Sequence, residues 1–118
     1  MAVARRISAL FVSGLMIAQT RQFDPREVNF GRLATCYVAE GSAASAAGFR
    51  KCDAIESIDG TAARSLDDVY AALSKVQRER REAIVEVKRP VGPKGRSFFS
   101  YTGLSLPADD LRWVTLSP

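Results

Sequence analysis

The stretch GSAASAAGFRKCDAIESIDG, residues 41–60, carries more structural information than any other in the chain. Ser42 is an N-cap residue, because its hydroxyl can accept a bond from an orphan amide of the first turn. Ala43, Ala44 and Ala47 then form a short helix small enough to lie close to a sheet. Gly48 ends that helix, since it reaches positive φ without a steric penalty. Asp53 can accept backbone hydrogen bonds within the turn that follows. Residues 54–58 read as a strand, with Ile55 and Ile58 for the core. Asp59-Gly60 is a turn dipeptide that sends the chain onward.

Downstream lies the clearest helix. Ser65 is its N-cap, with Asp68 three residues later as an approximate capping box. Leu66, Val69, Tyr70, Leu73 and Val76 follow at helical spacing and make one apolar stripe. Asp67 and Asp68 sit at the positive end, and Lys75 and Arg78 at the negative end. Residues 77–81 read as a frayed exit. A strand is expected at 83–87, a Pro/Gly loop at 90–95, and a last strand at 96–102. The tail beyond Pro107 holds Leu111, Trp113, Val114 and Leu116, too apolar for a solvated linker.

Upstream, residues 7–12 and 15–20 read as strands separated by Ser13-Gly14. Arg5 and Arg6 before the apolar stretch 7–18 resemble a short secretory leader, but Met16 would stand where cleavage prefers a small residue. Strand, glycine loop, strand is the better reading. Residues 21–32, with Asp24-Pro25, Asn29 and Gly31, read as a loop. Residues 33–39 are a third strand, with Ala34, Cys36 and Val38 on one face. No strand-helix alternation repeats, so a doubly wound sheet is not expected. The expected class is α+β, mainly β: a partly open barrel or sandwich of five to six strands, capped by two helices.

Composition narrows the function. The 118 residues contain no histidine, which removes Ser-His-Asp and Cys-His catalysis and the commonest metal ligand. The two cysteines, Cys36 and Cys52, are too few for a four-cysteine zinc site, and the sequence gives no geometry for pairing them. No metal or other cofactor is expected. Adjacent Asp67 and Asp68 point in different directions on a helix and make poor acid/base partners. The net charge of +4 comes from scattered basic residues without interleaved aromatics, so no nucleic-acid partner is expected. No run of 18 apolar residues occurs, so no membrane insertion is expected within this chain.

The 41–60 stretch resembles the bacterial type of PDZ domain: Gly-Ser-x-Ala, a short helix, Ala-Gly, an aspartate, a strand and Asp-Gly. Ser65-Leu66-Asp67-Asp68-Val69 is similar to the start of that family's longer helix. The likeness covers residues 38–89 and, more loosely, 7–102. It implies a non-catalytic module that binds a protein C-terminus or another extended peptide as an added strand. The peptide lies between a sheet edge and the longer helix, its carboxylate held by backbone amides of a glycine loop. Carried onto this chain, that loop is Ser13-Gly14, with amides of Gly14, Leu15 and Met16 as donors. Leu15 and Ile17 would line the pocket from the strand, and Tyr70 and Leu73 from the helix; Leu66 and Val69 point into the core. The closest flavour is the regulatory domain of HtrA-like serine proteases, which implies a larger parent protein in the periplasm or cell envelope. In such domains the strand slot beside the loop is usually filled from the C-terminal side, so a circularly permuted order is open.

Two departures from the family pattern matter. Ser13 stands where a large apolar residue usually precedes the glycine, which disfavours a carboxylate pocket. Cys52 stands where a glycine usually precedes the aspartate; if positive φ is needed there, cysteine costs about 1 kcal/mol. The alternative reading is therefore a degenerate PDZ acting as an oligomerisation or assembly module. The domain is expected to span residues 1–103. Residues 104–118 form an apolar tail that packs on the domain, on a partner or on a second copy.

Overall fold

The computed structural model describes residues 7–19, 33–91 and 98–116. The expected loop at 21–32 and the basic pair Arg5 and Arg6 lie outside the described residues, as do residues 92–95 of the expected Pro/Gly loop and residues 96–97 of the expected last strand. Eight strands and two helices follow in the order β1 (Ile7–Val12), β2 (Leu15–Gln19), β3 (Leu33–Val38), α1 (Ala43–Ala47), β4 (Ala54–Ile58), β5 (Thr61–Ala62), α2 (Leu66–Arg78), β6 (Glu82–Val91), β7 (Phe98–Pro107) and β8 (Arg112–Leu116). The architecture is α+β and mainly β, an open antiparallel sheet with two helices. Strand order is β7-β6-β4-β3-β2-β1-β8, and β5 pairs with β4 off this path.

Consecutive strands β7 and β8 stand at opposite ends of that order. Only residues 108–111 connect them, a reach of at most roughly 18 Å. The sheet must therefore curl until its two ends approach each other. The Ser13 amide donates to the Asp109 carbonyl at 2.7 Å, which ties the β1–β2 turn to that connection.

Local chemistry explains the helix boundaries. The Ser42 hydroxyl accepts from the Ser45 amide at 3.1 Å, and Gly48 ends α1 at φ 104. The Ser65 hydroxyl accepts from the Asp68 amide at 3.1 Å. Asp68 reaches back to the Arg64 amide, one residue before the cap, also at 3.1 Å. A helix of 13 residues is marginal alone, so packing must hold it. Leu66, Val69, Leu73 and Val76 are buried and supply that packing, each contributing about 1.5–3 kcal/mol. They meet Leu10, Val12, Leu15, Ile17, Ile55, Ile58, Val85, Val87 and Leu106 from the sheet in one core.

Several elements differ from the sequence expectation. The described residues hold eight strands, where five to six were expected. Residues 77–81 do not fray: α2 runs to Arg78, and Arg80 adopts φ 53. The Arg80 amide then bonds the Gln77 carbonyl and the Arg81 amide the Val76 carbonyl, which together satisfy two terminal carbonyls. Pro90 and Val91 belong to β6, opposite Phe99 and Phe98. The strand expected to stop at residue 102 continues to Pro107, and β8 pairs with β1 from Ile7↔Leu116 to Phe11↔Arg112. Residues 104–116 thus complete one strand and form another.

Candidate functional site

Ser13 and Gly14 form the two-residue connection between Val12 and Leu15, which are paired across β1 and β2. Their φ values are 52 and 89, the double left-handed conformation that matches the twist of a hairpin. The turn is bonded into the chain through the Ser13 amide, carbonyl and hydroxyl and the Gly14 carbonyl. The Ser13 hydroxyl donates to the Pro107 carbonyl and accepts from the Asp109 amide at 3.1 Å. The Ser13 carbonyl accepts from the Ala44 amide at 3.1 Å, and the Gly14 carbonyl from Ala39 at 2.8 Å. A Cβ on Gly14 would lie 2.2 Å from Ser42 Cβ and 2.5 Å from its Oγ. Glycine is required here by close approach to the start of α1 as well as by positive φ.

The residues expected to line a peptide groove differ in their exposure. Leu15, Ile17 and Leu73 are buried in the core, and Ser13 and Gly14 are buried in the turn. Met16 is half-buried, opposite Phe11 on β1 and Tyr37 on β3. Strand β2 carries a partner on both sides, so it offers no edge to an added strand. Tyr70 is exposed on α2, where its ring stacks on Trp113 of β8 with centroids 5.6 Å apart. Leu66 and Val69 point into the core as expected.

Three features beside this turn were only partly visible in the sequence. Cys52 adopts φ 77. Its amide donates to the Thr35 carbonyl at 2.7 Å, and the Thr35 amide to the Asp53 carbonyl at 2.8 Å. Residues 52 and 53 together oppose Thr35, a bulge whose first position ordinarily takes glycine. Asp53 is buried, and its carboxylate accepts from the Arg50 amide at 2.9 Å and from Arg89 Nε and Nη2 at 2.8 and 2.7 Å. Arg89 Nη2 also reaches the Gly48 carbonyl at 2.8 Å, so this one arginine ties β6 to the C-terminal end of α1 and to the turn that follows it. The Arg89 half of this pair gave no sequence signal.

Cys36 and Cys52 are free thiols. Burial pushes the Cys36 thiol above its ordinary pKa, and its sulfur lies 3.4 Å from the Met16 carbonyl. Asp59 is held below the ordinary carboxylate range, first by the Ile84 amide and then by Arg81, 2.8 Å away. A cavity of about 440 Å³ lies between the β4–β5 turn and α2, lined by Asp59, Ala62, Asp68, Ala72, Lys75 and Arg81 among others; it includes none of the expected site residues. Among the described residues no cluster of carboxylates and thiols could hold a metal ion. Among the described residues no helix is long and apolar enough to cross a membrane.

Among the described residues the sheet order ends at β7 and β8, and α1 packs against β7. Compared with known proteins, the chain matches no family model, no curated protein and no solved structure.

Proposed function

We propose that this chain is a non-catalytic assembly module of degenerate PDZ-like build, which joins protein chains by strand addition at an end of its sheet. It does not capture a free C-terminal carboxylate. The observation that carries this reading is the closure of the Ser13–Gly14 turn. Both of its carbonyls and the Ser13 hydroxyl and amide are already bonded within the chain. An anion-binding loop needs amides that face open space, and Gly14 and Leu15, two of the three expected donors, are buried residues. Strand addition needs an edge, and β2 has none left. The absence of histidine supports a binding rather than a catalytic role.

A titration with a library of C-terminal peptides tests the reading. Each binding peptide is repeated with its C-terminus amidated. The reading expects equal affinity for the two forms. Binding by free acids alone would return the function to carboxylate recognition, and with it the regulatory role of HtrA-like proteases.

A further inference from the structure

Strand β8 lies on β1 from Ile7↔Leu116 to Phe11↔Arg112 and ends the sheet order among the described residues. It is gripped from both faces. Trp113, opposite the fully buried Leu10, stacks on Tyr70 of α2 with ring centroids 5.6 Å apart. Arg112, opposite Phe11, holds its guanidinium 4.3 Å from the centre of that ring. Successive strand residues point to opposite faces, so this adjacent pair reads β1 from both sides.

Little apolar burial fastens β8 itself. Arg112, Trp113 and Thr115 are exposed and Val114 is half-buried. Beneath them Ala9 and Leu10 of β1 are fully buried. Upstream, the chain is pinned. Gln77 Nε2 donates to the Ala108 carbonyl at 3.0 Å, the Asp109 amide and carbonyl bond Ser13, and Leu111 packs on the core. Residues from Arg112 onward can therefore lift away while the connection stays in place. Segments with few buried apolar contacts open at a lower free energy than the whole domain. Once β8 has lifted, β1 lacks its partner on that side.

We propose that β1 and Tyr70 form a strand-acceptor site whose built-in occupant is β8, and that its outside ligand is an extended peptide with a basic residue followed at once by an aromatic one. This rests on the strand-addition reading and names where the strand is added. The strand seated there selects the occupant. The Phe11 ring takes a cation, the Tyr70 ring takes an aromatic side chain, and the backbone of β1 supplies the ladder. Strand β8 acts as a latch. An outside peptide enters only those chains whose β8 has lifted, so the latch sets the apparent affinity.

The test uses the 118-residue chain and a fluorescent peptide with the sequence of residues 111–118, prepared as the free acid and as the amide. Anisotropy is read at equilibrium, and the two forms should bind equally. Chains carrying W113A or R112A, both at exposed positions, have a weaker latch. They should bind the peptide roughly three- to ten-fold more tightly than the native chain. Either substitution made in the peptide instead should weaken binding by a similar factor. The two substitutions act on opposite faces, so the test stays readable if one variant unfolds by circular dichroism. A peptide that binds no folded variant, or that binds alike with and without its tryptophan, would overturn the acceptor site. Chains that dimerise while refusing the peptide would give the place to β8 of a second copy and overturn it as well. Library peptides that bind equally as acid and amide, with no binding of the 111–118 peptide, would leave strand addition standing while this site fails. Binding by acid forms alone would overturn both.

Discussion

Replacing Gly14 with alanine separates a closed turn from an open binding loop. The added Cβ would stand 2.2 Å from Ser42 Cβ, far inside the roughly 3.5–4.0 Å of an ordinary carbon contact. Relieving that overlap by shifting the start of α1 costs about 1–3 kcal/mol. Holding alanine at φ 89 adds about 1–2 kcal/mol. The lower entropy of the unfolded alanine chain gives back about 0.4–1 kcal/mol. The net loss is about 1.5–4 kcal/mol, a fall in Tm of roughly 6–16 °C at about 4 °C per kcal/mol. Thermal and urea unfolding followed by circular dichroism would read it. The partner of the clash can be tested in the same series. S42G removes both Ser42 atoms near the added methyl at the cost of a cap worth a few tenths of a kcal/mol. In the G14A/S42G double variant the steric part should disappear, leaving a coupling of about 1–3 kcal/mol. A G14A variant as stable as the native chain would refute the closed turn.

Further outcomes follow from the neighbouring geometry. C52G should raise stability by up to about 1 kcal/mol, since cysteine is strained at φ 77; a lower urea midpoint would contradict that account of the bulge. D53A should cost about 3 kcal/mol, because it leaves Arg89 and the Arg50 amide without their buried acceptor; pairing it with R89L should recover part of the loss. Asp59 has a depressed carboxyl pKa, so its contribution is complete above the unfolded value of 3.8 and is lost as pH falls through the folded value. The stability gap between the native chain and D59N should be constant near neutrality and narrow below about pH 4. A gap that widens on acidification would reverse the assigned sign.

Short-range rules read much of this fold correctly. Ser42, Gly48 and Ser65 set helix boundaries through contacts within four residues, and the structure places each as those rules require. Positive φ at Cys52 was raised only as a condition, from the glycine that the resembled pattern has there, and the structure gives φ 77. Arg80 takes a left-handed conformation with no glycine to announce it, so the end of α2 was read too loosely. The larger gap concerns Ser13 and Gly14. A glycine turn between two strands has the same sequence whether it faces solvent or is covered. What covers it is Pro107 and Asp109, more than 90 residues away, together with Ala39 and Ala44. The same non-local pairing hid β8, whose alternation shows only beside its partner β1. Leu15, Ile17 and Leu73 were recognised as apolar, but periodicity alone does not separate a groove wall from a core.

The closed turn itself is tested most directly by native-state hydrogen exchange of single amides, followed by NMR. The Ser13, Ala39 and Ala44 amides donate to Asp109, Gly14 and Ser13 at 2.7, 2.8 and 3.1 Å. These three amides should exchange slowly, with protection close to that of core residues such as Val85, because opening the turn requires separating α1 and the β7–β8 connection from the sheet. Exchange at rates typical of an exposed loop would mean that the turn opens freely, and the case against carboxylate capture would fall with it.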